Sequence, residues 1–195
     1  MIPAIIVLIL AWGISGVCRS DEINTAGYII AMVGDSIPPQ LLPTAAFITA
    51  GAIALSIGSS FATMSLLLPM FIPLTYSVLG SPAATATIDD PIFLATVGAI
   101  LAGAIFGDHC SPISDTTVLS SAAAGCDHLH HVATQLPYAL LIAACSILFG
   151  YLPIGFGIPW WIALPSSAIA CSGVVLFLGK KPFVLRPSQD SSNSP

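Results

Sequence analysis

The amino-acid sequence predicts an all-α, polytopic integral membrane protein whose helices are broken or re-entrant. Three observations lead there. First, 56% of the 195 residues are hydrophobic and only 7% are charged, against about 25% charged in a typical soluble domain. A soluble fold of this size needs a charged surface, and this chain does not have the residues to make one. Second, residues 36–88 and 132–179 contain no Asp, Glu, Lys, Arg or His. Each tract is long enough for two crossings at about 20 residues per helix. Third, the run Phe106-Gly-Asp-His-Cys-Ser-Pro-Ile-Ser-Asp-Thr-Thr117 is densely polar and lies between apolar segments.

The same composition excludes several classes. There are only four Lys and Arg residues, too few to neutralise a run of phosphates, so nucleic acid is not an expected partner. The five cysteines (Cys18, Cys110, Cys126, Cys145 and Cys171) show neither a disulfide framework nor a Cys-x-x-Cys zinc spacing. No basic segment precedes the apolar opening run, so no cleaved signal peptide is expected.

Taken in order, residues 2–17 form a first apolar segment, slightly short for a full span. Arg19, Asp21 and Glu22 then mark an interface. Residues 25–33 are too short to cross and read as an interfacial or re-entrant helix. Residues 35–39 form a turn, since Pro38 and Pro39 remove two donors and fix φ. Residues 41–57 form the next helix, broken at Gly58-Ser59-Ser60. Residues 61–79 follow, with Pro69 and Pro73 inside, and 81–90 make a polar loop. A helix over 92–106 runs into the charged motif, where a break is expected over 107–115. Residues 116–124 make a half-helix of about 14 Å, with Ser114 or Asp115 able to cap its start and Gly125 suited to its end. Residues 127–131 read as a short loop. Residues 136–152 and 158–178 are the last two spans, with Tyr151, Trp160 and Trp161 placed as an interfacial aromatic belt.

Residues 1–179 thus form one transmembrane domain, and the Ser-rich residues 180–195 form a disordered tail. Lys180, Lys181 and Arg186 place that tail in the cytoplasm, and Arg19 points to the same side for the first loop. Five complete crossings between those two points break that parity. Either one element is re-entrant or Arg19 does not mark a cytoplasmic loop.

The paired breaks at 58–60 and 107–115 carry the functional reading. Interrupted hydrophobic segments of this kind point to a transporter binding site, because unwound backbone at membrane depth persists only where protein or a water-filled cavity shields it. Asp108 and Asp115 each cost about 2.5–3.5 kcal/mol at a bilayer centre. Pro112 bars a continuous helix between them. Carboxylate, hydroxyl and freed carbonyl oxygens are hard ligands that suit Na⁺. Desolvation favours a protonated carboxyl and a bound cation favours the ionised one, so one acid can hold either H⁺ or Na⁺. The competing reading is a surface loop, or for Asp115 a helix cap. His109 can pair with Asp108 or relay a proton, or simply be a hydrogen-bonded polar residue. His128, His130 and His131 can sense pH but read more simply as solvated interface residues. Zinc held by these with Cys110 and Cys126 lacks a standard ligand spacing. The hydroxyls of Ser59, Ser60 and Thr63 either complete the site or serve small-residue helix packing. Gln135 can face the site, although helix initiation suffices to explain it. Asp, His and Ser occur together in the motif without a nucleophile elbow, so no enzyme is expected.

The polar run, with Leu119-Ser-Ser121, Gly125-Cys-Asp-His128 and Thr134-Gln-Leu-Pro-Tyr138, closely resembles the NhaC family of Na⁺/H⁺ antiporters over about 33 residues. Leu10-Ala-Trp12 is also similar to that family, and Gly58-Ser-Ser-Phe-Ala-Thr63 more loosely so. Members typically carry a Gly-Thr-Ser-Trp-Gly-Thr-like string there; Ser59 keeps a hydroxyl, while Phe61 and Ala62 alter the packing. The resemblance covers what is the C-terminal half of family members. It implies half of an inverted-repeat ion-transporter fold in the cytoplasmic membrane, working by alternating access. The implied ion or substrate site is Asp108, His109, Ser111, Ser114, Asp115, Thr116 and Thr117, with Ser59, Ser60 and Thr63 opposite and Na⁺ held by Asp108 and Asp115. No cofactor is implied; Na⁺ and H⁺ are the transported ions. The implied partners are the lipid bilayer and either the missing N-terminal half or a second transporter chain. Exchange of organic acids of the malate and lactate type, or a truncated non-transporting membrane subunit, are the alternatives.

Overall fold

A computed structural model describes residues 13, 28, 38–80 and 90–178. The readings for 2–17, 25–33, most of 35–39, 81–89 and the tail 180–195 fall outside the described residues. All regular structure among the described residues is helical. After a 3₁₀ turn at Pro39–Leu41, α1 runs Leu42–Ile57, α2 Ser60–Val78, α3 Pro91–Cys110, α4 Asp115–Ala123, α5 His128–Cys145 and α6 Trp160–Leu178. A π-helical turn at Ser146–Tyr151 and a short helical turn at Leu152–Gly155 prolong α5. Five helical stretches are long and apolar enough to cross a membrane: Pro39–Ile57, Ser60–Val78, Pro91–Cys110, His128–Gly155 and Trp160–Phe177. The protein is a multi-pass, all-α membrane protein.

The ends of these helices follow from local chemistry. Gly58 ends α1 in the left-handed conformation, φ 71°, which a residue without Cβ adopts freely. Ser59, in extended conformation, caps α2 by accepting from the Ala62 amide at 3.4 Å. Asp90 caps α3, its Oδ1 accepting from the amides of Ile92 and Phe93 at 2.8 and 3.2 Å, with Pro91 at the first helical position. At the end of α4 the Cys126 amide donates to the Ser121 carbonyl and the Gly125 amide to that of Ala122. This is a Schellman motif, and it places Gly125 at φ 65°.

Two elements differ from the sequence reading. The break near Asp108 spans only 111–114, because α3 continues through Gly107, Asp108 and His109 to Cys110. The residue that stops the helix is Pro112, which disfavours the α conformation of the residue before it. Ser111 is accordingly extended, at φ −78° and ψ 127°. The segment 127–131 is not a loop. Asp127 Oδ1 accepts from the His130 amide at 2.8 Å and starts α5 at His128. A polar first turn does not prevent a helix that is so capped.

The core lies between α1 and α3. Ala46, Phe47, Ala50 and Ala54 of α1 are buried against Ala99, Ile100 and Ala104 of α3, with Leu67 of α2 and Ala143 of α5 closing the cluster. Small residues let the two backbones come close. A Cβ on Gly103 would overlap the Phe47 carbonyl, and one on Gly107 the Gly51 carbonyl. Phe47 also stacks on Phe106 and packs on Tyr151, with ring centroids 5.7 and 5.3 Å apart. Tyr151 is half-buried against Phe47, whereas Trp160 and Trp161 are exposed. The outward face of α6, from Ile169 to Phe177, is apolar and largely exposed.

Candidate cation site at the meeting of two helix breaks

Close α1–α3 packing carries the end of α1, the start of α2, the end of α3 and the start of α4 to one place. Asp108 sits there with 4% of its surface exposed, 17 residues into α3 and hence about 26 Å along it. Ser114 Oγ donates to Asp108 Oδ1 at 2.7 Å. Ser60 Oγ and Thr116 Oγ1 each lie 3.3 Å from Oδ2. Ser114 and Thr116 also touch each other, hydroxyl to hydroxyl, at 2.8 Å. The three hydroxyls come from α2, from the link after α3 and from α4. All four Lys and Arg residues of the chain lie outside the described residues. The partners of the Asp108 carboxylate among the described residues are therefore neutral hydroxyls. A hydrogen bond to a charged group contributes about 1.5–3 kcal/mol, so two of them offset much of the cost of keeping a carboxylate at depth.

The two breaks also brace each other. Ser111 Oγ donates to the Leu55 carbonyl in the last turn of α1 at 2.9 Å, and the Ile113 amide donates to Ser111 Oγ at 3.4 Å. Gly58 packs directly on Ile113, so a Cβ there would lie 2.8 Å from Ile113 Cγ1.

Of the ten residues singled out from the sequence, four meet around the carboxylate: Asp108, Ser60, Ser114 and Thr116. Ser111 is buried and braces the link. Ser59 serves as the cap of α2, and its carbonyl accepts from the fully buried Thr63 at 2.9 Å, so both hydroxyls are used within their own helix. Thr117 is buried and donates to the His109 carbonyl at 3.4 Å. Asp115 is exposed in the first turn of α4, where the helix dipole favours a negative charge. It makes no hydrogen bond to the Asp108 cluster. Ser114, the N-cap residue of α4, turns its hydroxyl to Asp108 instead of to the helix.

Beside the cluster lies a cavity of about 320 Å³ lined by His109, Thr116, Thr117, Ser120, His131 and Gln135. Thr116 belongs to both, lining the cavity and reaching the carboxylate. Ser120 and His131 are not among the site residues the sequence points to, whereas Gln135, which the sequence allows to face the site, does line the cavity. His131 and Gln135 stand four residues apart and share a helix face, a signal that becomes visible only once α5 is known to start at His128. His131 Nε2 lies 3.3 Å from Ser120 Oγ and helps to dock α5 on α4.

A buried carboxylate ringed by hydroxyls can hold a proton or a desolvated monovalent cation. Residues 1–156 match the model of the Na⁺/H⁺ antiporter family. The chain belongs to the Na⁺/H⁺ antiporter family. Among relatives, an uncharacterized protein of Haemophilus influenzae is 36% identical over 93% of this chain and 32% of its own length. An uncharacterized Na⁺/H⁺ antiporter of the same organism is 48% identical over 31% of this chain and 14% of its length. The malate-2H⁺/Na⁺-lactate antiporter of Bacillus subtilis is 33% identical over 44% of this chain and 22% of its length. The chain spans no more than about a third of the length of these relatives. No solved structure matches the chain. The family and its named relatives here are antiporters, which move solutes rather than transform them.

Proposed function

We propose that this chain carries the cation site of a secondary active Na⁺/H⁺ antiporter of the cytoplasmic membrane, with Asp108 as the group that alternately holds H⁺ and Na⁺. The single observation that carries this reading is the burial of Asp108 among the hydroxyls of Ser60, Ser114 and Thr116. With the carboxylate ionised and the site free of cation, the hydroxyls donate to it. When Na⁺ enters, the same hydroxyls rotate and turn their lone pairs to the ion, which now balances the charge. When a proton replaces Na⁺, the carboxyl becomes a donor and one hydroxyl an acceptor. The two ions exclude each other because they occupy the same carboxylate. The three hydroxyls belong to different elements, so a relative movement of α2 or α4 against α3 opens the site to one side or the other. Asp115, exposed on α4, draws cations toward the site rather than holding them there. The tail at 180–195 faces the cytoplasm. The rest of the transporter, from a longer chain or a second transporter chain, together with lipid, covers the exposed apolar faces.

The test is Na⁺-dependent proton movement in proteoliposomes, with this chain alone and with the missing half supplied. Loss of coupling in Asp108→Asn supports the reading, and unchanged coupling sinks it. A chain inactive in both settings is a non-transporting membrane subunit.

A second reading has its own support. The cavity beside Thr116 is far larger than a bare Na⁺ and is lined by hydroxyl, amide and imidazole groups. Such a space suits a small organic acid, and one relative is a malate-2H⁺/Na⁺-lactate antiporter. Counterflow of labelled malate or lactate, with Na⁺ present or absent, separates organic-acid exchange from cation exchange.

A further inference from the structure

Each residue of the four-residue link between α3 and α4 is tied to a different neighbour. Ser111 is held by the Leu55 carbonyl, Ile113 by Gly58 and Ser114 by Asp108. The tie at Pro112 comes from the first residue of α5. His128 Nε2 lies 2.7 Å from the Pro112 carbonyl oxygen, and its Nδ1 lies 3.0 Å from Ser121 Oγ on α4.

A carbonyl oxygen only accepts, so Nε2 carries the proton. The partner of Nδ1 adapts to the state of the ring. Ser121 Oγ also lies 2.9 Å from the Val118 carbonyl. With a neutral ring the hydroxyl donates to Nδ1. With a charged ring Nδ1–H donates to the hydroxyl, which turns its own proton to Val118. The Pro112 carbonyl keeps its donor either way. The other Asp, His and Cys side chains around it are Asp108, His109 and Cys110 at the end of α3, Asp115 on α4, Cys126 and Asp127 before α5, and His130 and His131 on α5. None of them shares a hydrogen bond with it among the described residues.

We propose that His128 is a positioning residue of the Asp108 site, holding the Pro112 carbonyl so that Ser114, two residues on, stays within reach of the carboxylate. It does not touch Asp108. The distance argument is short: the Ser114–Asp108 bond is 2.7 Å long, and a shift of about 0.5 Å takes such a bond to the edge of its useful range. The consequence for cation affinity rests on the antiport reading, whereas the restraint on the link does not.

Two conservative substitutions separate the ring's two nitrogens. Glutamine places an amide N–H close to the position of Nε2 and can still reach Pro112. Asparagine places its amide near Nδ1 and keeps only the Ser121 contact. The measurements are hydrogen exchange of amides 113–116 and Na⁺-dependent proton flux, both on the full chain in liposomes. The expected result is several-fold faster exchange in His128→Asn, with the Na⁺ concentration for half-maximal flux raised about tenfold and the maximal rate retained. His128→Gln stays near wild type in both. Wild-type exchange in His128→Asn overturns the proposal. So does loosening in His128→Gln as large as in His128→Asn, and the glutamine result decides alone if the asparagine variant does not fold. The predicted exchange pattern without Na⁺-dependent flux, both in the chain alone and with the rest of the transporter supplied, leaves His128 in its role and removes the antiport reading instead.

Discussion

Ser60 and Asp108 are 48 residues apart in the chain, yet the hydroxyl of one lies 3.3 Å from the carboxylate of the other. This contact joins the break between α1 and α2 to the end of α3. It brings the two interruptions into one cluster of side chains, and the predictions below start from it.

The carboxylate separates from its neighbour in the motif. Asp108→Asn is expected to abolish Na⁺-dependent proton movement, since an amide cannot exchange a proton for a cation. Asp115→Asn is expected to leave coupling in place, because Asp115 is exposed and outside the hydroxyl cluster. Proteoliposome flux assays on the two variants decide, and an equal loss in both contradicts the geometry.

The hydroxyls are ranked by distance. Ser114→Ala removes the 2.7 Å bond and Ser60→Ala a 3.3 Å one. A hydrogen bond to a charged group is worth about 1.5–3 kcal/mol, so Ser114→Ala is expected to raise the half-maximal Na⁺ concentration by roughly ten- to a hundredfold. Ser60→Ala should fall at or below the low end. A Na⁺ titration of flux in each variant gives the order directly.

Gly107 reports on helix packing. A Cβ there meets the Gly51 carbonyl and lies 2.8 Å from Ala54 Cβ. Gly107→Ala is expected to destabilise the protein by about 1–3 kcal/mol, the usual cost of overpacking, and thermal unfolding in detergent measures it. Transport should fall as well, since Asp108 follows Gly107 directly.

Gly58 and Gly125 form a matched pair. Both have positive φ, at 71° and 65°. A Cβ on Gly58 presses on Ile113, while one on Gly125 meets nothing within 4 Å. Gly125→Ala is expected to cost only the left-handed penalty of about 1–2 kcal/mol. Gly58→Ala should cost more and should also weaken Na⁺ binding by displacing the link. Unfolding midpoints and Na⁺ titrations of both variants test this difference.

Asp90 provides a control far from the site. Asp90→Ala removes the N-cap of α3 and is expected to cost about 1 kcal/mol without changing the half-maximal Na⁺ concentration. A shifted Na⁺ titration in that variant would show that apparent affinity tracks stability rather than site geometry.

The sequence by itself determined the membrane environment, the helical class, the existence of the five described spans and the two interruptions, because hydrophobic run length and proline placement act locally, while the end of α3 and the start of α5 lie four and eight residues beyond the sequence reading. Gly125 at the end of α4 was legible for the same reason. The capping aspartate at 127 is present in the sequence too, but three histidines behind it read as loop, so Gln135 is legible as a residue able to face the site while the helix face that joins it to His128 and His131 is not. Only the tertiary structure decided which hydroxyls meet the carboxylate. Ser60 reaches Asp108 while Thr63, one turn away, bonds its own helix, and Asp115 turns outward while Asp108 is buried. Those outcomes depend on how closely Gly103 and Gly107 let α3 approach α1, a distance between segments some fifty residues apart that no local pattern encodes.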